Sequence, residues 1–166
     1  MIYKYRITLK QQLMLLWQPI VVYISVIIIW IYFLNYPFCN DALYVMCGFL
    51  FFFDTVPALI LHIQYLIKNR RTLLFIDEAN RTITYENPKK KAENIQFSDI
   101  NCLEYYVSNV RNTGIYSFCR YRYCKIILKN GEEFVITCLM VNDIKNTLEL
   151  LLHLKSEEKL KIMCFI

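Results

Sequence analysis

An uncharged stretch near the N-terminus constrains this chain most. No acidic or basic residue occurs between Lys10 and Asp41, and the apolar part of the stretch is Leu13–Leu34. As a helix this part would be about 33 Å long, which is enough to cross the ~30 Å hydrocarbon layer of a bilayer. The alternative, a buried core helix of a soluble protein, would need a much larger chain around it. The stretch therefore predicts a transmembrane helix.

A second apolar stretch, Ala42–Ile67, follows after the short connection Asn35–Asp41. It contains Asp54, Pro57 and His62, and neither of its halves is long enough to cross a bilayer alone. We therefore expect one helix that is kinked at Pro57, because proline removes a backbone N–H. The connection is long enough to reverse a helix and too short to form a domain. Together the two stretches predict a membrane α-helical hairpin.

Basic residues flank the predicted hairpin on both sides, while its connection carries Asp41 alone. By the positive-inside rule both termini should lie in the cytoplasm, in a multi-pass protein of the cytoplasmic (inner) membrane. The basic residues are Lys4, Arg6 and Lys10 before the hairpin and Lys68, Arg70 and Arg71 after it. The predicted units are a cytoplasmic N-terminal segment (1–12), the transmembrane hairpin (13–67, with spans 13–34 and 42–67) and a cytoplasmic domain (68–166).

The cytoplasmic domain is predicted from short runs of alternating residues, which are typical of β-strands. Asn130-Gly131 between two such runs predicts a type I′ hairpin, because both turn positions require positive φ. Asn142 or Asp143 should cap one helix. About seven strands and one C-terminal helix predict an α+β domain, an antiparallel β-barrel or sandwich closed by the helix. The expected strand runs are 73–76, 82–85, 95–98, 103–108, 116–129 and 132–139, and the apolar helix residues are Ile144, Leu148, Leu151 and Leu152.

The two terminal segments each allow two interpretations. Residues Met1–Lys10 alternate between apolar and polar, so they form either an extra strand of the domain or an extended segment on the lipid surface. The apolar run Leu160–Ile166 should dock either on the sheet edge or on the membrane surface. The sequence does not decide between these alternatives.

Metal, cofactor and nucleic-acid sites are not expected. The seven cysteines are odd in number and form no C-x-x-C pair, so we expect free thiols packed as small apolar side chains. His153 has no partner at the spacing of a metal ligand. The net charge of +5 comes mostly from the residues that flank the hairpin, and what remains is too weak a field for nucleic acid.

Three short sequence patterns carry a resemblance to a known family. They are Leu74-x-Ile76-Asp77 with Ile83-x-Tyr85, Phe97-Ser98-Asp99-Ile100 with Leu103-Glu104, and Tyr123 to Gly131 with Phe134-Val135-Ile136. With two spans before about seven strands and one helix, the chain resembles the bacterial pleckstrin-homology-like (PH-like) membrane proteins, a group that includes the YcxB-like proteins. The resemblance implies a membrane-tethered PH-like module, and fold analogy alone assigns no chemistry to it.

A phosphoinositide site is not expected. Phosphoinositide-binding PH domains hold the headgroup with Lys and Arg on a long loop between their first two strands. We assign that connection here to Asp77–Arg81, which is short and acidic at its start. Lys89, Lys90 and Lys91 form an exposed loop in this interpretation. They are either solvated or in contact with anionic lipid, where each cation contributes about 1 kcal/mol.

Asp54 and His62 are polar residues inside the second predicted span. One interpretation is a polar track for a proton or an ion, or a contact point for a membrane partner. The other is structural: Asp54 would pack against Ser25, Tyr23 or Gln18 of the first span, and His62 would lie near the cytoplasmic headgroups. Two spans are too few to enclose a water-filled path, so transport would require a homo-oligomer.

The composition of one segment predicts a protein-binding surface. Tyr and Arg are enriched at the hot spots of protein interfaces. Alternation places Arg120 and Arg122 on one face of a strand and Tyr121 and Tyr123 on the other. The alternative is an ordinary half-exposed strand with cation–π neighbours. Further aromatic residues nearby are Tyr105, Tyr106, Tyr116 and Phe118.

Two classes of function follow. The first is non-enzymatic: a membrane-anchored interaction or regulatory module that binds a protein partner with its cytoplasmic PH-like domain, at a sheet edge or in the groove beside the helix. The second is a membrane-embedded enzyme or ion-coupled component that uses Asp54 and His62. We expect the first, because the soluble part holds no convergent set of acid, base and nucleophile.

Overall fold

A computed structural model describes residues 1–32, 41–87, 90–110 and 116–166. Within these ranges the chain forms three helices and two sheets of four strands each. The helices are α1 (Leu9–Tyr32), α2 (Asp41–Asn69) and α3 (Ile144–Leu152). The strands are β1 (Ile2–Tyr5), β2 (Leu73–Asp77), β3 (Thr82–Asn87), β4 (Lys90–Gln96), β5 (Ile100–Ser108), β6 (Tyr123–Leu128), β7 (Glu133–Thr137) and β8 (Ser156–Lys161).

Helices α1 and α2 are each long and apolar enough to cross a membrane. They cover both stretches that the sequence predicted to be helical. Helix α1 begins at Leu9, because Thr8 and Gln11 form a capping box. The Gln11 N–H donates to Thr8 Oγ1 (3.3 Å), and the Thr8 N–H donates to Gln11 Oε1 (3.2 Å).

Helix α2 is irregular just before Pro57. The expected kink takes the form of a π-helical turn at Phe51–Thr55, in which the Val56 N–H donates to the carbonyl of Phe51. The physical reason is that Pro57 has no N–H for the carbonyl of Phe53, so regular α-helical bonding cannot continue there. In this turn the carboxylate of Asp54 is buried, while the neighbouring phenylalanine rings are exposed.

The two sheets have the orders β1-β2-β3-β4 and β7-β6-β5-β8. All pairs are antiparallel except β5 with β8, which is parallel. The predicted α+β architecture is confirmed, but the sheets do not close into a barrel. Strand β5 pairs with β6 on one side and with β8 on the other. Strand β4 is the last strand of the first sheet, and no other strand among the described residues pairs with its outer edge.

Strand β1 pairs antiparallel with β2, with Tyr5 opposite Leu74. The first of the two interpretations of the N-terminal segment is therefore the one that the structure adopts. Because β1 precedes α1 and β2 follows α2, both helices are inserted between the first two strands of one sheet. The sheet domain thus includes residues from both sides of the helices.

Three predicted stretches differ in the structure. The expected strand 95–98 ends at Gln96 and is followed by a 3₁₀ turn at Phe97–Asp99. The expected strand 116–129 instead contains a 3₁₀ turn at Ser117–Arg120, and β6 begins only at Tyr123. Lys90 and Lys91 lie at the start of β4 rather than in a loop, because the chain reverses within a few residues and Asn87 already pairs with Lys90. Lys89 lies outside the described residues.

One hydrophobic core is shared by both sheets. The rings of Tyr85, in the first sheet, and Phe134, in the second, meet with centroids 4.9 Å apart. Helix α3 contributes the side chains that the sequence predicted. The buried residues of α3 are Ile144, Leu148, Leu151 and Leu152.

The hairpin between β6 and β7 lies at Asn130-Gly131 as predicted, but its turn type differs. The Gly131 N–H donates to the carbonyl of Leu128 (3.0 Å), and the Leu128 N–H donates to the carbonyl of Glu132 (2.9 Å). Gly131 has φ +89°, whereas Asn130 is not among the described residues with positive φ. The connection is therefore a three-residue loop, a type I turn followed by a left-handed glycine, and not a type I′ turn.

Replacing Gly131 by alanine should lower the free energy of unfolding by about 1–2 kcal/mol, because a Cβ is strained at this positive φ. Gly48 is the matched control, since an added Cβ there meets no atom within 4 Å and the backbone is helical. Gly48→Ala should cause no loss. Thermal unfolding of both variants tests this, and equal midpoints for the two would contradict it.

Glu149 of α3 is hydrogen-bonded to Ser156, the first residue of β8. Its carboxylate accepts hydrogen bonds from the Ser156 N–H (2.8 Å) and the Ser156 hydroxyl (2.5 Å). These bonds stabilise the charged form and lower the pKa of Glu149 below its ordinary value. The stability that they contribute is present above the unfolded pKa, about 4.3, and is lost as the pH falls through the folded pKa.

On acidification from about pH 5 to pH 3, Glu149→Gln should lose less stability than the wild type, because its side chain does not titrate. The difference should be no more than about 1 kcal/mol, because solvent weakens this near-surface bond. Glu78→Gln, in the exposed turn between β2 and β3, is the control. Chemical unfolding at both pH values measures the difference. An unchanged pH dependence in Glu149→Gln would contradict the assignment.

Candidate functional site

Four polar side chains of α2 lie along the face of the helix that packs on the sheet domain: Asp54, His62, Tyr65 and Asn69. All four are buried. They are spaced along about 22 Å of helix, given a rise of 1.5 Å per residue. Each is hydrogen-bonded to the sheet domain. We call this row of contacts the polar seam.

At one end of the seam, Asp54 binds the 3₁₀ turn that precedes β6. One carboxylate oxygen accepts the Ser117 N–H (2.5 Å) and the other accepts the Ser117 hydroxyl (2.7 Å). One interpretation of the sequence placed Asp54 against Ser25, Tyr23 or Gln18, whereas these hydrogen bonds come from the sheet domain. In the structure Tyr23 bonds instead to the neighbouring residue of α2, with its hydroxyl 3.1 Å from the Thr55 hydroxyl.

In the middle of the seam, His62 and Tyr65 contact two tyrosines of the sheet domain. His62 Nδ1 lies 3.1 Å from the hydroxyl of Tyr121. The Tyr65 ring meets the rings of Tyr121 and Tyr123 edge-to-face, with centroids 5.5 and 6.2 Å apart. Both sheet-domain tyrosines are buried. They form part of the interior contact with α2.

Near the end of α2, the seam continues to β7. The side-chain amide of Asn69 donates to the carbonyl of Val135 (2.9 Å). The C-terminal segment also joins here, since the Tyr65 hydroxyl donates to the carbonyl of Cys164 (2.8 Å). The contacts of α2 therefore come from four separate parts of the sheet domain, which fixes the helix on it.

The packing on α2 buries two of the four residues that were predicted to bind a partner, Tyr121 and Tyr123. The predicted alternation is present, but it is Tyr121 and Tyr123 that face α2. Arg122 is partly buried and donates to the Tyr105 hydroxyl (3.3 Å). Arg120 is exposed. Partner binding through the tyrosines would require the domain to separate from α2, whereas Arg120 is exposed and Arg122 is partly exposed in this arrangement.

The first connection of the fold was assigned wrongly from the sequence. Asp77–Arg81 joins β2 to β3, whereas the connection between the first two strands contains both helices. The short Asp77–Arg81 connection therefore does not exclude a headgroup site. Because β1 and β2 are antiparallel, α1 leaves the sheet and α2 enters it at the same end. Two clusters of basic residues lie near that end. One cluster, Lys4, Arg6 and Lys10, is at the start of α1, and the other, Lys68, Arg70 and Arg71, is at the end of α2.

The open edge of β4 borders a cleft of about 370 Å³ between the two sheets. The cleft lies between β4 and the turn that joins β6 to β7. Its charged lining residues are Glu93, Asp99, Lys129 and Glu132. By contrast, the edge of β5 beside α3 is already occupied by β8 of the same chain.

Among the described residues, no group of three or more His, Cys, Asp or Glu side chains could hold a metal ion. Six cysteines in these ranges are free thiols. Burial raises the pKa of the Cys124 thiol to about 12 and that of the Cys138 thiol to about 11. These two thiols are therefore protonated at neutral pH, which makes them weak nucleophiles and weak metal ligands.

Sequence reasoning singled out Asp54 and His62 but missed Tyr65 and Asn69. The pattern that could have found them is the spacing of polar residues in α2. Steps of eight, three and four residues between the members of the seam place all four side chains on one helix face. A polar stripe of this kind on an apolar helix indicates a face that packs on protein.

Comparison with curated proteins and with solved structures found no match. A family model described as PH domain matches residues 4–147. The matched range begins within β1 and ends within α3, so it runs through both apolar helices. It covers most of the chain, including the strands on both sides of the helical insertion. The chain therefore belongs to the PH domain family.

Proposed function

We propose that this PH domain protein is a membrane-anchored, non-enzymatic interaction or regulatory module. In this proposal α1 and α2 form a two-span anchor in a bacterial inner membrane, as in the YcxB-like proteins, and the sheet domain binds a protein partner in the cytoplasm. No cofactor takes part. Both termini lie on the cytoplasmic side, since β1 and β8 belong to the same sheet domain.

The exposed faces of the two helices support the anchor. Their exposed side chains are predominantly large and apolar, which is the composition of a lipid-facing surface. The basic residues near the sheet end of both helices fit the positive-inside rule. The exposed apolar residues are Leu9, Leu13, Met14, Trp17, Ile20, Ile24, Ile28, Ile29, Ile31 and Tyr32 of α1, and Tyr44, Val45, Phe49, Phe51, Phe52, Phe53, Leu59, Ile60, Ile63 and Ile67 of α2.

The observation that carries the proposal is the polar seam. A proton or ion track would need Asp54 and His62 to face water or one another, but both are buried and bonded to the protein's own sheet domain. Their use as attachment points favours an anchored module over a membrane-embedded enzyme or ion-coupled component. Ser117 is itself buried, so this attachment is covered by protein.

The open edge of β4 is the surface that we propose for the partner. An extended peptide can add to an exposed strand edge through backbone hydrogen bonds, and an adjacent cleft then selects its side chains. The cleft beside β4 is lined by three acidic residues and one basic residue, which favours a partner segment with basic side chains. One edge of β5, in the second sheet, is by contrast already paired with β8 of the same chain.

Cross-linked pull-down of the full-length chain from native membranes tests the proposal. Asp99→Lys reverses a charge in the cleft, Arg120→Glu reverses the exposed residue that the sequence predicted, and Glu78→Lys in the β2–β3 turn is the matched control. We expect Asp99→Lys to reduce capture of the partner by about tenfold, which corresponds to ~1.4 kcal/mol. Glu78→Lys should capture it normally.

Different outcomes separate the alternatives. Capture that is lost in Arg120→Glu but kept in Asp99→Lys would move the partner site to the 3₁₀ turn before β6. A partner retained by α1 and α2 alone would contradict binding by the sheet domain. An Asp54→Asn, His62→Ala variant that remains folded and binds the partner, yet loses the cellular phenotype, would support the ion-coupled alternative.

A further inference from the structure

The outer edge of β4 presents backbone hydrogen-bonding groups at every second residue. The Phe97 N–H donates to the carbonyl of Arg81 (2.9 Å), so these two residues form a hydrogen-bonded pair. Along an antiparallel ladder such pairs alternate with pairs whose N–H and C=O groups point away from each other. Gln96, which lies opposite Thr82, and Asn94 therefore direct their backbone groups to the open edge. No hydrogen bond within the described ranges occupies these groups.

Side chains alternate along β4 in the same way. Asn94 and Gln96 are exposed on the outer face of the sheet, whereas Ile95 is only 5 % exposed and lines the cleft together with Glu93. An added strand follows this alternation. Its residues that bond to Asn94 and Gln96 would lie on the outer face, and the residues between them, opposite Glu93 and Ile95, would face the cleft.

The lining of the cleft changes along β4 from acidic to apolar and back to acidic. Glu93 comes first and Ile95 second. Beyond the end of β4, the Lys129 N–H donates to the carbonyl of Asp99 (2.9 Å), which holds the β6–β7 turn beside Asp99. Glu132 of this turn also lines the cleft, so the two carboxylates outnumber the single ammonium of Lys129 at this end.

We infer that the partner contributes an extended segment of the pattern basic–x–apolar–x–basic, which adds to β4 as a fifth strand. The apolar residue covers Ile95, and the basic residues meet Glu93 at one end of the cleft and Asp99 and Glu132 at the other. Opposite charges and apolar pairs across neighbouring strands stabilise such pairing. The inference rests on the proposed function and specifies the segment that its partner site accepts. The pattern is symmetric, so it is the same for either strand direction.

The occupant is a segment of another protein and not a second copy of this chain. The pattern occurs in this sequence at Lys125–Lys129, with Ile127 at its centre. This stretch belongs to β6, which is paired with β5 on one side and with β7 on the other. A second copy could therefore supply it only by unfolding its own sheet.

Binding of a synthetic peptide to the full-length chain in detergent micelles tests the inference. The probe is a short, fluorescently labelled peptide with lysine, valine and lysine at alternate positions and threonine at the others, because threonine favours extended backbone. A second peptide has the same side chains but carries N-methyl groups on the threonines between the lysines and the valine. It lacks the N–H groups that would bond to β4. We expect it to bind about tenfold more weakly, as measured by fluorescence anisotropy.

Gln96→Pro makes the matching change in the protein. The φ of Gln96 is −74°, which proline also adopts, and its N–H points to the open edge. Proline at such an edge position leaves the ladder intact, so the thermal unfolding midpoint should not fall. Affinity for the unmethylated peptide should fall about fivefold, because one hydrogen bond is lost. Gln96→Ala keeps the N–H and is the matched control, which should bind the peptide as the wild type does.

Different outcomes separate this inference from the proposed function. Equal binding of the two peptides by the wild type, or no binding of either, would overturn strand addition by this pattern. So would unchanged affinity in a folded Gln96→Pro. In each case, capture of the partner that is lost in Asp99→Lys would leave the proposed site intact. Capture that persists in Asp99→Lys would contradict the site itself, together with the inference that rests on it.

Discussion

Tyr121→Ala should destabilise the protein by about 3–5 kcal/mol, the range found when a buried aromatic side chain is replaced by alanine. Tyr121 is completely buried between the sheet domain and α2. Its ring packs edge-to-face on Tyr65, and its hydroxyl bonds to His62. The substitution removes both contacts and leaves the imidazole of His62 without this partner. Arg120→Ala, one residue earlier and exposed, should change stability by no more than about 0.5 kcal/mol.

The buried cysteines provide the measurement. Cys119, Cys124, Cys138 and Cys164 are shielded in the folded chain and become reactive when it unfolds. Thermal unfolding followed with a thiol-reactive dye should therefore give a much lower midpoint for Tyr121→Ala than for Arg120→Ala. Equal midpoints for the two variants, with partner capture lost in Tyr121→Ala, would instead support the sequence-based assignment of Tyr121 to a binding surface.

The second large effect is expected at the other end of the seam. Asp54→Ala removes the acceptor for the Ser117 N–H and hydroxyl, and Ser117→Ala removes one of these two bonds. Each change should cost about 1.5–3 kcal/mol, the contribution of a hydrogen bond to a charged group. The double variant should cost less than the sum by about 1–2 kcal/mol, because both changes break the same interaction.

The same dye assay gives the coupling energy between the two positions. Ser98→Ala, at an exposed serine, is the control and should change stability by no more than about 0.5 kcal/mol. Additive effects of Asp54→Ala and Ser117→Ala would mean that the two side chains do not interact in the folded protein. The seam would then end at His62.

The sequence was sufficient for the elements that depend on local pattern. The uncharged stretch after Lys10 predicted α1, and the helical spacing from Ile144 to Leu152 predicted α3 and its buried face. The hairpin at Asn130-Gly131 was placed correctly, but its turn type was not. That detail depends on whether one or two residues adopt positive φ, and Asn-Gly is compatible with both cases.

Other features could not be predicted because they depend on packing between distant parts of the chain. The alternation from Arg120 to Tyr123 indicated two faces, but which face is buried is decided by α2, which precedes it by more than fifty residues. The strand β1 could not be paired from its pattern alone, since its partner begins at Leu73. The expected partners of Asp54 belong to α1, whereas Ser117, which bonds to Asp54, lies in the sheet domain.

The insertion of both helices between β1 and β2 sets an order for folding. Strand β1 is synthesised first, but its partner exists only after α1, α2 and the connection between them have been made. Until then β1 is an unpaired strand, and closing so long a loop costs entropy that few local contacts offset. Assembly of α1 with α2 brings the ends of this loop together. A chain whose helices fail to associate should therefore leave β1 free to pair with other chains.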